Sequence, residues 1–159
     1  KMKGITLDIS VWRRPSAESA PVHAKAAGLY MICTLSKHTA EQKGFQDSLM
    51  LDWRGYIAEA TGANVFFLMR DGTLHTPTPD CFLNGITRQT VIDMAKARGI
   101  EVIERHMQPG DMAEAEECFL TGTAAEVTPV RQIGDYRFTP GEITRELVNG
   151  YAELVNGGG

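Results

Sequence analysis

The chain has 159 residues, 43% hydrophobic and 23% charged, with a formal net charge of −4. That is enough for one domain with a buried core. The basic pairs Lys1 with Lys3 and Arg13 with Arg14 are too short for a nucleic-acid surface, although backbone amides could still bind a phosphate-bearing small molecule. No apolar run approaches the roughly 20 residues that cross a bilayer, and no signal-peptide pattern opens the chain. Three widely spaced cysteines, Cys33, Cys81 and Cys118, suggest neither a disulfide framework nor a metal site, so a cytoplasmic setting is expected.

In chain order, residues 1–4 run straight into a strand-like alternation over Gly4–Trp12, which suggests a start inside a longer protein. A Pro- and Ser-containing loop over Arg13–Pro21 precedes a helical pattern from Val22 to Lys43, with Gly44 as its stop. Short strands are expected over Ser48–Asp52, Tyr56–Ala60 and Val65–Arg70, with turns between them. Asp71-Gly72 signals a hairpin whose return strand is Thr73–Thr76. Pro77 and Pro79 predict irregular backbone. An amphipathic helix over Thr87–Arg98 ends at Gly99, and a strand follows over Ile100–Met107. A short helix at Met112–Glu116, a buried strand at Cys118–Thr121, a hairpin over Thr128–Phe138 and a helix over Gly141–Leu154 complete the chain, with 157–159 as a tail. This is an α+β pattern over residues 1–156, not a regular βαβ alternation.

Several residues could carry chemistry. Lys25 lies among small, mostly apolar neighbours, where desolvation favours the neutral amine that condenses with an aldehyde. A lysine snorkelling from a helix start fits the same local sequence. Glu59 interrupts an apolar strand, either as an edge residue facing water or as the partner of a cation. Gly85-Ile86-Thr87 opens a helix whose free amides suit an anion, while a threonine there also suits a plain N-cap. Thr121–Glu126 could let a turn's backbone approach a ligand, or be an ordinary capped turn. Asn64 is either a turn residue or an orienting amide. The four histidines show no metal-binding spacing.

Five motifs follow one another: HAKAAGLY from His23, AEATGANVFF from Ala58, DGTLHTP from Asp71, FLNGITR from Phe82 and TGTAAEVTPV from Thr121. In this order they resemble the fold-type IV enzymes that use pyridoxal 5'-phosphate, most closely the branched-chain amino-acid aminotransferases, over about Pro21 to Val130. The resemblance implies the large, C-terminal, cofactor-binding domain of such an enzyme: a short-stranded, mostly antiparallel pseudo-barrel with flanking helices. It implies that Lys25 is catalytic and forms the internal Schiff base. Tyr30 would bond the cofactor's phenolic oxygen, Glu59 the pyridine nitrogen with Gly62 near the ring, and Leu83 would pack against the ring. Ile86, Thr87 and Thr123 would serve the phosphate, and Thr123, Ala124 and Ala125 the substrate carboxylate.

The implied activity is amino-group exchange between Leu, Ile or Val and 2-oxoglutarate by a homo-oligomer, with no nucleic-acid or membrane partner. D-amino-acid aminotransferase and aminodeoxychorismate lyase share the fold and are the alternatives, as is a domain that kept the fold without the chemistry. Ala63 departs from the glutamate of some relatives. An N-terminal domain that in this family supplies a phosphate-binding arginine is not in this sequence, so the isolated chain is expected to be a poor catalyst.

Overall fold

The alternation near the start of the chain becomes an interior strand of its sheet. A computed structural model, which describes residues 2–23 and 27–157, places β1 at Ile5–Arg14. It is followed by α1 (Ala27–Gln42), β2 (Asp47–Asp52), β3 (Ile57–Ala60), β4 (Asn64–Met69), β5 (Leu74–Pro77) and α2 (Ile86–Ala97). Then come β6 (Val102–Arg105), a 3₁₀ turn (Pro109–Glu114), β7 (Ala115–Gly122), β8 (Glu126–Ile133), β9 (Tyr136–Arg137) and α3 (Glu142–Gly157).

The strands form one sheet in the order β3-β2-β1-β8-β7-β4-β5-β6, with β9 paired to β8. Five of the eight pairings are antiparallel; β1 runs parallel to β2 and β8, and β5 parallel to β6. The sheet curls until its ends meet: Ile57 N, on the first strand of the order, donates to Met107 O just beyond the last, at 2.7 Å. The result is the expected α+β arrangement, a short-stranded, mostly antiparallel pseudo-barrel with flanking helices.

β4 shows why the sequence curls in this way. Its run Val65–Met69 is apolar at every position, as a strand covered on both faces requires. Val65 and Phe67 join Leu7, Leu49, Cys118, Leu120 and Val130 in one core. Phe66 and Leu68 turn the other way, onto Val91 and Ala95 of α2 and Leu147 of α3. There Phe66 stacks on Phe119, with ring centroids 5.0 Å apart. α1 covers another part of the outer face, where Ser36 Oγ lies 2.6 Å from Ser10 Oγ of β1 and the Cys33 thiol donates to Met50 Sδ of β2 at 3.7 Å.

Four local expectations are corrected. Val22 and His23 lie in a turn closed by Val22 N donating to Ala20 O, so the helix does not begin at Val22; residues 24–26 lie outside the described residues. The short helix begins at Pro109, with Gln108 and Asp111 capping it reciprocally, and Ala115 already pairs with β4. Pro77 is in a strand rather than irregular backbone, at the end of β5 opposite Arg105 of β6. The expected strand over Ile100–Met107 narrows to Val102–Arg105. Among the described residues no helix is long and apolar enough to cross a membrane.

Candidate active site

A cavity of about 310 Å³ opens on the outer face of the sheet, at the low end of the roughly 300–1,000 Å³ typical of small-molecule sites. Segments distant in sequence wall it. Arg14 comes from the end of β1, Leu29, Tyr30 and Cys33 from α1, and Glu59 from β3. The turn 61–64, the loop residues Leu83 and Gly85, and the end of β7 with its turn, residues 121–124, complete the wall. Of the residues singled out by sequence, Tyr30, Glu59, Gly62, Leu83, Thr123 and Ala124 therefore converge on one space. Lys25 lies outside the described residues. Ile86, Thr87 and Ala125 are not among the lining residues.

Glu59 is the chemical centre of this wall. Its side chain keeps only 12% of its surface exposed, and burial pushes its carboxyl up from the ordinary 4.5 to about 7, against the lowering pull of Arg14. Arg14 Nε stands 3.3 Å from Glu59 Oε2 and donates to the carbonyl of Cys81, also at 3.3 Å. Among the described residues Arg14 is the cation beside Glu59, and a buried carboxylate placed in this way has capacity to meet a further cation in the cavity. The Cys33 thiol borders the same space and is raised by burial and by the Glu59 charge.

The wall of the cavity also includes Gly85, at the start of α2. Gly85 is the N-cap of this helix, and no side chain caps it, so Thr87 is a residue of the first turn rather than the cap. The Thr87 hydroxyl lies 3.4 Å from the Tyr151 hydroxyl of α3, and the Ile86 side chain is 84% exposed. What this helix start can offer an anion is therefore its backbone N–H groups and dipole. Gly122 brings the two turns together: a Cβ there would meet Gly62 O at 3.1 Å and Ala63 Cβ at 3.3 Å, so a side chain would crowd this contact.

Sequence reasoning missed Arg14, assigned to a loop with no partner, and left Asn64 open. Asn64 is an orienting amide: its Nδ2 donates to Leu83 O at 3.0 Å and its Oδ1 accepts from Gly85 N at 3.2 Å. Arg88, 1% exposed, was read only as part of a helix. It donates to Asn84 Oδ1 at 2.8 Å and to Pro77 O at 3.2 Å, and pairs with Glu104. The signal for Arg88 was a charge on the apolar side of an amphipathic helix. Asp52, Asp80 and Cys81 also lie close together, but Arg54 bonds to both aspartates and supplies the positive charge there.

Known proteins share this architecture. The branched-chain aminotransferase of the thermophilic archaeon Thermoproteus uzoniensis, solved with norvaline, superposes with a TM-score of 0.93 at 35% identity, over 99% of this chain and 53% of that one. An aminotransferase from Brucella abortus bound to the cofactor PLP gives a TM-score of 0.89 at 37% identity, over 97% of this chain and 55% of that one. The fold is that of the fold-type IV aminotransferases. The family model described as amino-transferase class IV matches residues 1–133, and this chain belongs to that family. A Rickettsia felis protein named "Probable branched-chain-amino-acid aminotransferase" is 46% identical over 157 residues, which is 96% of this chain and 54% of that protein. The chain spans about half the length of the relatives it matches.

Proposed function

We propose that this chain is the C-terminal, cofactor-binding part, over residues 1–156, of a transaminase that binds pyridoxal 5'-phosphate and exchanges amino groups between Leu, Ile or Val and 2-oxoglutarate. The observation that carries this reading is that Glu59, a buried carboxylate, and Gly85, the N-cap of α2 that no side chain caps, line one small cavity. The donor set fits a ligand with a basic ring nitrogen at one end and a phosphate at the other. When bound, the cofactor supplies an electron sink for charge developing at the substrate Cα.

Each residue then has a task. Glu59 holds a proton on the ring nitrogen, and Arg14 opposes the desolvation that disfavours the Glu59 carboxylate. Tyr30 donates to the phenolic oxygen. Leu83 packs on the ring, and Gly62 leaves room for it. The amides of Ile86 and Thr87 bind the phosphate together with Thr123. Thr123 and the amides of Ala124 and Ala125 hold the substrate carboxylate. Lys25 anchors the cofactor and, once released, moves a proton between the substrate Cα and the cofactor's C4′.

A homo-oligomer and a preceding domain are part of the proposal, as is a cytoplasmic setting. Tyr30 is 47% exposed, and Val11, Trp12, Met31 and Leu35 are exposed on β1 and α1 beside it, apolar surface that a further segment or subunit would cover. The test is a half-reaction followed by absorbance, with the protein extended to the length of its relatives. Leu, Ile and Val each convert the cofactor to its amine form, and 2-oxoglutarate reverses the change. No conversion with any of the three overturns the reading.

A further inference from the structure

The cavity has two chemically different ends, and one side chain ties them together. Asn64 is the first residue of β4, immediately after the turn that leaves Glu59 and β3, and it is only 5% exposed. Its amide makes both of its strong bonds to one loop: Nδ2 donates to Leu83 O at 3.0 Å, and Gly85 N donates to Oδ1 at 3.2 Å. Gly85 is the N-cap of α2. The contact is so close that a Cβ on Gly85 would lie 2.7 Å from Asn64 Oδ1. Arg88 holds the intervening residue through Asn84 Oδ1 and the upstream chain through Pro77 O. Each residue of the loop 83–85 is thus held by Asn64 or Arg88, and Asn64 itself lines the cavity.

Only a primary amide of this length donates and accepts at one place in this way. Aspartate loses the donor and adds a charge beside the anion end, and alanine loses both bonds. We propose that Asn64 is a positioning residue that fixes the start of α2, the phosphate end of the cavity, relative to Glu59, the ring end. This rests on the cofactor reading above. A ligand held at two points needs both at the correct spacing, and a misplacement of one costs affinity only for ligands that use it. Losing the two bonds frees the loop to drift, and the amides of Ile86 and Thr87 then no longer meet the phosphate.

The experiment compares pyridoxal 5'-phosphate with pyridoxal, which lacks the phosphate, by equilibrium titration against the full chain and its Asn64→Ala, Asn64→Asp and Gly85→Ala variants. Thermal midpoints without ligand and the ³¹P resonance of the bound phosphate are recorded in parallel. Wild type binds the phosphorylated ligand more tightly. Asn64→Ala weakens that ligand about tenfold or more while pyridoxal changes less than about threefold, and the ³¹P resonance shifts. Asn64→Asp, which keeps the shape, weakens the phosphorylated ligand further and serves if the alanine variant does not fold. Gly85→Ala gives the same selective loss, because its Cβ would press on Asn64 Oδ1 and force the loop away from it. Equal loss of both ligands, or an unchanged affinity for the phosphorylated one, overturns the role of Asn64. A wild-type chain with no preference for the phosphate removes the cofactor reading itself, and this inference with it.

Discussion

At Glu59, burial and the charge of Arg14 pull in opposite directions, and burial wins. Between pH 4.5 and about 7 the folded protein retains a proton that the unfolded chain has released. The stability contributed by the neutral carboxyl is therefore full below about 4.5 and is lost as pH rises towards 7. Glu59→Gln removes this slope. Without cofactor the variant is expected to unfold at a higher temperature than wild type at about pH 8, by on the order of 2 kcal/mol, and to match it near the acid end of the window. Thermal melts across pH check this; a wild-type stability that rises from 4.5 to 7 relative to the variant contradicts it. Glu59 was legible because a lone carboxylate breaks an apolar run. Arg14 was not, since its partner lies 45 positions away in the chain, and local sequence carries no record of such a contact.

Elements meet at ends that the chain satisfies from a distance. Glu117 on β7 is 5% exposed, and its Oε1 accepts from Gly141 N at 3.1 Å and Thr144 N at 2.9 Å, so a carboxylate from another element caps the first turn of α3. Glu117→Ala strands both amides and is expected to cost about 2 kcal/mol, with Glu117→Gln costing less because one acceptor oxygen survives. Denaturant midpoints measure this, and a neutral alanine variant contradicts the capping role. The existence and type of the long elements could be read from periodicity. Their ends could not always be: the capping residues at Gln108 and Asp111 moved the short helix forward, and pairing with β4 drew Ala115 into β7. A similar limit hid the open start of α2, because a threonine near a helix start matches a cap pattern whether or not its hydroxyl is used. Here that hydroxyl faces Tyr151.

For the whole molecule, the pairing of strands is what builds the site. The sheet order places β1 between β2 and β8, and β7 between β8 and β4, so Arg14, Glu59 and Thr123 border one cavity although more than a hundred residues separate the first from the last. That order, with its three parallel pairings, had no local signature; alternation marks a strand but not its neighbour. The motifs pointed to the fold through resemblance, and Tyr30, Glu59, Gly62, Leu83, Thr123 and Ala124 do converge in space. The proposed function requires that this assembly hold pyridoxal 5'-phosphate on Lys25. The most direct measurement is peptide mass spectrometry after mixing the protein with pyridoxal 5'-phosphate and reducing with borohydride, on this chain and on the form extended to the length of its relatives. The expected result is a phosphopyridoxyl adduct on Lys25 that is absent from Lys25→Ala. An adduct confined to other lysines, or none at all in the extended form, would contradict it.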